Sequence, residues 1–301
     1  AGAHRSARRR AAVRLRLGVA GGPVPRDPEE VDEGLARQLA RLGVRVLTTH
    51  FQPSPAAVAA HASRVRGVFA EHGLSIVQAT GYNPQLTHLD DAVLSAELER
   101  LRAAFETARL LGAEMIISGC GSRHPSHFYG PHRENHLPAT RERLISSLRR
   151  VAPWAADTGV ILALECHVTT ALDTPEHIRE VIQAVDSPWV RANFDPVNLL
   201  GDFSKVWTNG AAMRHMWRTL GACYTRSAHI KDVSADPELV VHISEAPPGQ
   251  GLLDLDAFFE VVAEIGEDTA VIVEHLPADQ ALAAVAYVKL AAEQRGFTFS
   301  R

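Results

Sequence analysis

The chain has 301 residues, 46% apolar and 22% charged, an ordinary composition for a globular protein that can bury a large core. Its formal net charge of −4 offers no basic surface for nucleic acid or a membrane. Three cysteines (Cys120, Cys166, Cys223) are too few for a disulfide framework, and no CxxC pair suggests thiolate zinc, so they read as small buried hydrophobes. No apolar run approaches the ~18 residues of a membrane span, and a cytoplasmic setting is expected.

Residues 1–13 read as a disordered basic tail without the apolar centre of a secretory signal. From there short apolar runs alternate with longer helical patterns. Arg14–Ala20 is the first expected strand, and Glu29–Leu42 follows with helical spacing through Val31, Leu35, Leu39 and Leu42. Val44–Thr49 is the second strand, and Pro53–Pro55 opens a helix running to about His72. Leu74–Thr80 is the third strand. Asp90–Leu111 is a long helix with Leu94, Leu98, Leu101, Phe105 and Ala108 on one face. Glu114–Ser118 is the fourth strand, and helix Pro138–Thr158 stops at Gly159. Strands five and six are Val160–Glu165 and Val190–Asp195, around a helix at Thr174–Ala184 that opens on a Thr-Pro pair. Gly210–Leu220 is helical, Thr225–Ile230 is strand seven, Leu255–Ile265 is helical, Ala270–Glu274 is strand eight, and Asp279–Gln294 closes as a helix.

Eight strands, each followed by a helix, predict one domain over residues 14–301, a (β/α)8 TIM barrel of the α/β class. An open doubly wound sheet is the alternative, but GVAGGPVP after the first strand lacks the GxGxxG spacing and runs into prolines. Two loops are long, Gly119–Leu137 and Val233–Asp254, and loops at that end of a barrel build active sites.

Four apolar runs stop on a residue that can bind a metal: Glu165, Asp195, His229 and Glu274. A buried carboxylate is costly unless its charge is compensated. In a parallel barrel these four meet at the ends of strands five to eight, and three acids with one imidazole repel one another without a cation. Oxygen-dominated donors with one imidazole suit Mn²⁺ first, with Mg²⁺, Co²⁺ or Zn²⁺ as alternatives. His167, two residues past Glu165, points to the same side of an extended chain and is a candidate general base. His50 ends strand two and Tyr82 and Asn83 follow strand three, so these are candidates to line the pocket. His124, His127, His132 and His136 read as part of a polar lid, since their spacing matches no closed zinc pattern.

The segments ALECHV, ANFDPVNLL, HIKDV and VIVEHLP resemble the four signatures of the xylose-isomerase-like TIM-barrel superfamily, and PPGQGLLDLDAFF resembles its feature after strand seven. The resemblance runs from about Leu15 to Gln294. It implies that Glu165, Asp195, His229 and Glu274 are metal ligands and that Glu165 and Glu274 also handle a proton. It further implies a substrate-contacting role for Lys231. Asn198 stands where the ketose epimerases and endonuclease IV carry a His, which removes one expected contact. With only VVH around His242 in place of a further Asp-x-His, a trinuclear nuclease is not expected, and neither is a nucleic-acid partner.

The expected function is a metal-dependent isomerase or epimerase of a sugar or related polyol ketone. It takes a proton from beside a carbonyl through a metal-stabilised enediolate. The first alternative is a lyase on 3-keto sugars, like the catalytic subunit of a C-glycoside deglycosidase, with His167 as the base and a small partner subunit. The second is a non-catalytic polyol-binding barrel. The substrate is expected to be a small-molecule sugar or keto-glycoside, and a homo-oligomer is an option for assembly.

Overall fold

The apolar runs become a closed parallel barrel in the computed structural model of the protein, which describes residues 13–240 and 242–300. The expected basic tail, 1–13, lies outside the described residues except for Val13. In chain order the elements are β1 (Arg14–Val19), α1 (Glu33–Arg41), β2 (Val46–Thr49), α2 (Pro55–Glu71), β3 (Ser75–Ala79), α3 (Asp91–Leu111), β4 (Met115–Ser118), α4 (Pro138–Thr158) and β5 (Ile161–Leu164). They continue with α5 (Pro175–Val185), β6 (Val190–Phe194), α6 (Phe203–Trp207), α7 (Asn209–Leu220), β7 (Tyr224–Ile230), β8 (Asp232–Ala235) and β9 (Ile243–Ala246). The last are α8 (Leu255–Ile265), β10 (Thr269–Val273), α9 (Ala278–Gln294) and β11 (Thr298–Phe299). Strands β1 to β7 pair in sequence, β10 follows β7, and β10 pairs back to β1 in the register Leu15↔Thr269 to Val19↔Val273.

Barrel strands are covered on both faces, so they read as unbroken apolar runs rather than as alternation. Within β10, Ala270 and Ile272 join the interior cluster with Val46, Val77, Met115, Ile117 and Ala163, while Val271 and Val273 pack outward against the helices. Helix starts follow local chemistry. Asp32, Asp90, Thr174 and Asp254 each accept a hydrogen bond from a first-turn N–H, worth about 1 kcal/mol apiece. Gly112 (φ 70) and Gly159 (φ 69) end α3 and α4 in the left-handed conformation.

The structure differs from expectation at several places, among them the unexpected short helix α6. The first helix begins at Glu33, because Asp32 caps it after a 3-10 turn at Pro28–Glu30. Strand two begins at Val46, where its pairing with β1 starts at Gly18. The loop expected over Val233–Asp254 contains an antiparallel hairpin, β8–β9, anchored by the buried Asp232 carboxylate. That carboxylate accepts N–H bonds from Val233 (2.9 Å), Leu253 (2.8 Å) and Gly249 (3.0 Å). Finally, β11 follows α9 and pairs parallel to the start of β1.

Candidate metal centre

Glu165 and Asp195 are the residues directly after β5 and β6, His229 is the penultimate residue of β7, and Glu274 directly follows β10. Register places His229 opposite Ile272, two residues before Glu274. One ligand atom from each of the four lies within 4.8 Å of the others. His229 Nδ1 stands 2.8 Å from Glu274 Oε2, 3.3 Å from Glu165 Oε1 and 3.9 Å from Asp195 Oδ2.

Each acid also has an oxygen engaged by a neighbouring side chain. Tyr129 O–H donates to Glu165 Oε2 at 2.9 Å. Asn198 Nδ2 donates to Asp195 Oδ2 at 2.8 Å, and Lys231 Nζ lies 2.9 Å from the same atom. Lys231 Nζ also donates to Glu274 Oε1 at 3.0 Å. Three atoms of these residues differ: Glu165 Oε1, Asp195 Oδ1 and His229 Nδ1 are buried and lack an aligned hydrogen-bond partner. Orphaned buried polar atoms are rare because each costs about 1–3 kcal/mol. Three of them within one four-residue cluster fit a cation, which accepts lone pairs where no proton donor is aimed.

The electrostatics agree. Burial alone would lower His229, but the Glu274 and Glu165 carboxylates outweigh it and hold the imidazole at about 10. Burial raises Asp195 above the usual carboxylate range, with Glu274 and Glu165 adding to the rise and Lys231 opposing it. Burial works against ionised Glu274, yet His229 and Lys231 take it well below its ordinary value. The protein thus concentrates negative charge here and offsets part of it with the buried Lys231 ammonium and, while no cation is bound, with a protonated His229.

Above the cluster lies a cavity of about 490 Å³ with Glu165, His229 and Glu274 in its floor and Tyr129, His50 and Asn83 among its walls. Of the residues expected from sequence, His50 lines this cavity. Tyr82 is buried with its hydroxyl unpartnered and does not line it. Lys231 is 2% exposed and stands behind the acids, also bonding Glu245 at 3.0 Å. His167 and Asn198 line an adjoining cavity of about 290 Å³, and the His167 ring tilts against Tyr129 at 5.3 Å. His167 Nδ1 lies 2.8 Å from Thr169 Oγ1. The loop histidines do not group around a point: among the described residues the only metal-like cluster of this kind is the one above.

Sequence reasoning missed three members of the site. Tyr129 comes from the strand-four loop, Gln78 lies inside the apolar run of β3, and Glu245 of β9 clips the hairpin to Lys231 and to His275 Nδ1 (3.0 Å). His275 has φ 59, a left-handed turn that swings the chain away directly after Glu274. A lone amide in SIVQA was the one legible signal, since a buried strand seldom carries an unpaired amide.

A family profile described as xylose isomerase-like TIM barrel matches residues 36–291. A ketose 3-epimerase of Arthrobacter globiformis is 25% identical over 224 residues, which are 69% of this chain and 66% of that protein, so the chain spans about two thirds of that relative. Among solved structures, L-ribulose 3-epimerase aligns with a TM-score of 0.71 at 19% identity over 93% of this chain and 95% of that one. A xylose isomerase-like TIM-barrel protein from Mycobacterium smegmatis, solved in complex with magnesium, gives 0.65 at 20% identity over 94% and 96%. The two structural likenesses speak to the fold.

Proposed function

The chain belongs to the xylose isomerase-like TIM-barrel family, and from that premise we propose that it is a metal-dependent sugar epimerase or isomerase working on the carbon next to a carbonyl. The observation that carries this reading is the clustering of Glu165, Asp195, His229 and Glu274, one ligand atom of each within 4.8 Å of the others, at a cavity lined by Glu165, His229 and Glu274. The ketose 3-epimerase relative supports a ketose as substrate. A divalent cation held by Glu165, Asp195, His229 and Glu274, Mn²⁺ first and Mg²⁺, Co²⁺ or Zn²⁺ as alternatives, supplies Lewis-acid polarisation of a bound carbonyl.

The chain's own groups do the rest. Glu165 and Glu274 enter from β5 and β10, separated by β6 and β7, so one takes the proton and the other returns it. Tyr129 fixes the tilt of the Glu165 carboxylate through Oε2. Lys231 offsets the charge of Asp195 and Glu274. His50 and Asn83 in the cavity walls offer polar groups to substrate hydroxyls.

A second reading, elimination from a 3-keto glycoside with His167 as base, is favoured by the adjoining cavity, which gives an aglycone room beside Val168, Leu200 and Ile243. Release of free aglycone from a 3-keto C-glycoside would select it over the first.

The test of the first reading is incorporation of deuterium from D₂O into a panel of ketoses by the Mn²⁺-loaded protein. Glu165→Gln and Glu274→Gln should each lower that rate by roughly 10²–10⁴-fold while far-UV circular dichroism stays unchanged. A wild-type rate in either variant would remove that glutamate from proton transfer.

A further inference from the structure

Strand alternation would turn Gln78 outward, yet it faces the barrel interior. β2 and β3 pair as Leu47↔Ile76 and then Thr48↔Gln78, leaving Val77 as an extra residue. Such a bulge re-aims the side chains after it. Val77 joins the interior cluster with Val46 and Met115, and Gln78, fully buried, turns inward as well.

The amide is fixed by its partners. Gln78 Nε2 donates to Ser227 Oγ, and Ser227 Oγ donates to Asn193 Oδ1 at 2.7 Å. Thr48 Oγ1 donates to Gln78 Oε1 at 2.6 Å. This leaves Gln78 Oε1 3.1 Å from His229 Nε2. An imidazole that ligates a cation is neutral and carries one ring proton. The other nitrogen, Nδ1, faces Glu274 and Glu165, where a cation needs its lone pair.

Building on the metal-centre reading above, we propose that Gln78 is a positioning residue whose side-chain oxygen keeps the ring proton of His229 on Nε2 and so presents Nδ1 as the metal donor. An acceptor behind a ligating imidazole fixes its tautomer and orientation and raises its basicity, and losing one typically weakens metal binding ~10–100-fold. The bulge in β3 is the feature of the backbone that puts this acceptor in place.

The test is Mn²⁺ titration, followed by electron paramagnetic resonance, of the full chain stripped by a chelator. Gln78→Met, close in volume but without an acceptor, should bind about 10–100-fold more weakly than wild type. Gln78→Glu, which keeps an acceptor oxygen, should bind close to wild type. In the Zn²⁺-loaded wild-type protein, ¹⁵N resonances should show the His229 proton on Nε2. Circular dichroism of the stripped proteins checks the fold; if Gln78→Met does not fold, the Gln78→Glu titration and the wild-type resonances decide. Equal affinity of Gln78→Met and wild type, equal losses in both variants, or a proton on Nδ1 in the loaded protein each overturn the proposal while leaving the metal centre standing. A wild-type chain that takes up no Mn²⁺ overturns both.

Discussion

Asp173 takes one imidazole on each oxygen, His177 Nδ1 at 2.7 Å and His136 Nδ1 at 2.6 Å. It thereby ties the strand-four loop, which brings Tyr129 to the metal centre, to the start of α5. Burial pushes this carboxyl up, but the hydrogen bonds from His177 and His136 outweigh it and leave it below the ordinary aspartate value. A depressed carboxylate stabilises the fold above its unfolded value, about 3.9, and loses that contribution as pH falls through the folded one. Asp173→Asn should therefore cost about 1 kcal/mol at pH 7. The gap to wild type in urea midpoints should close below about pH 4; a gap that persists to pH 2 contradicts the assignment. At this scale the sequence shows the clustered acids and imidazole and not their supports. Glu165 and Glu274 stand out because a carboxylate ending an apolar run is costly. Tyr129 does not, because its bond to Glu165 spans 36 residues and a loop has no period to read.

The elements were legible where burial imposes a pattern. β5 and β10 are nearly continuous apolar runs, and α3 repeats its apolar residues every three or four positions because one stripe faces the barrel. The hairpin β8–β9 was not legible, because DVSA and ISEA are short, half polar and partly exposed, and Asp232 rather than hydrophobic burial holds them. The bulge in β3 was also hidden, since one extra residue leaves SIVQA looking like any buried strand. Close approach of strands is tested at Gly18. A Cβ there would collide with Ile272 Cδ1 of β10 and meet Val46 Cγ2 of β2 at 2.8 Å. Gly18→Ala should destabilise by about 1–3 kcal/mol through strain at the β10–β1–β2 seam. Chemical denaturation reads this, and an unchanged midpoint would mean that the seam yields without cost.

At the scale of the molecule, the four donors come from four neighbouring strands, β5, β6, β7 and β10, so a bound cation laces together half of the barrel wall. A ligand that binds only the folded chain stabilises it by about 2.7 kcal/mol at a hundred times its dissociation constant. For a chain of this length that corresponds to a melting temperature about 5 °C higher. Differential scanning calorimetry should show this rise on adding Mn²⁺ and its reversal by EDTA, with Asp195→Asn blunting the rise; no rise in wild type contradicts a metal held by folded protein alone. The seam between the two ends has its own consequence. Thr298 N–H donates to Val13 O at 3.1 Å and Ser300 N–H to Leu15 O at 3.0 Å, alongside the pairing of β11 with β1. The polypeptide's first and last described segments are thus already neighbours, so a short peptide joining position 300 to position 13 would turn the molecule into a ring. Cutting that ring at the tight turn around Gly73, between α2 and β3, would give a circular permutant with its new ends on the face opposite the cluster of Glu165, Asp195, His229 and Glu274.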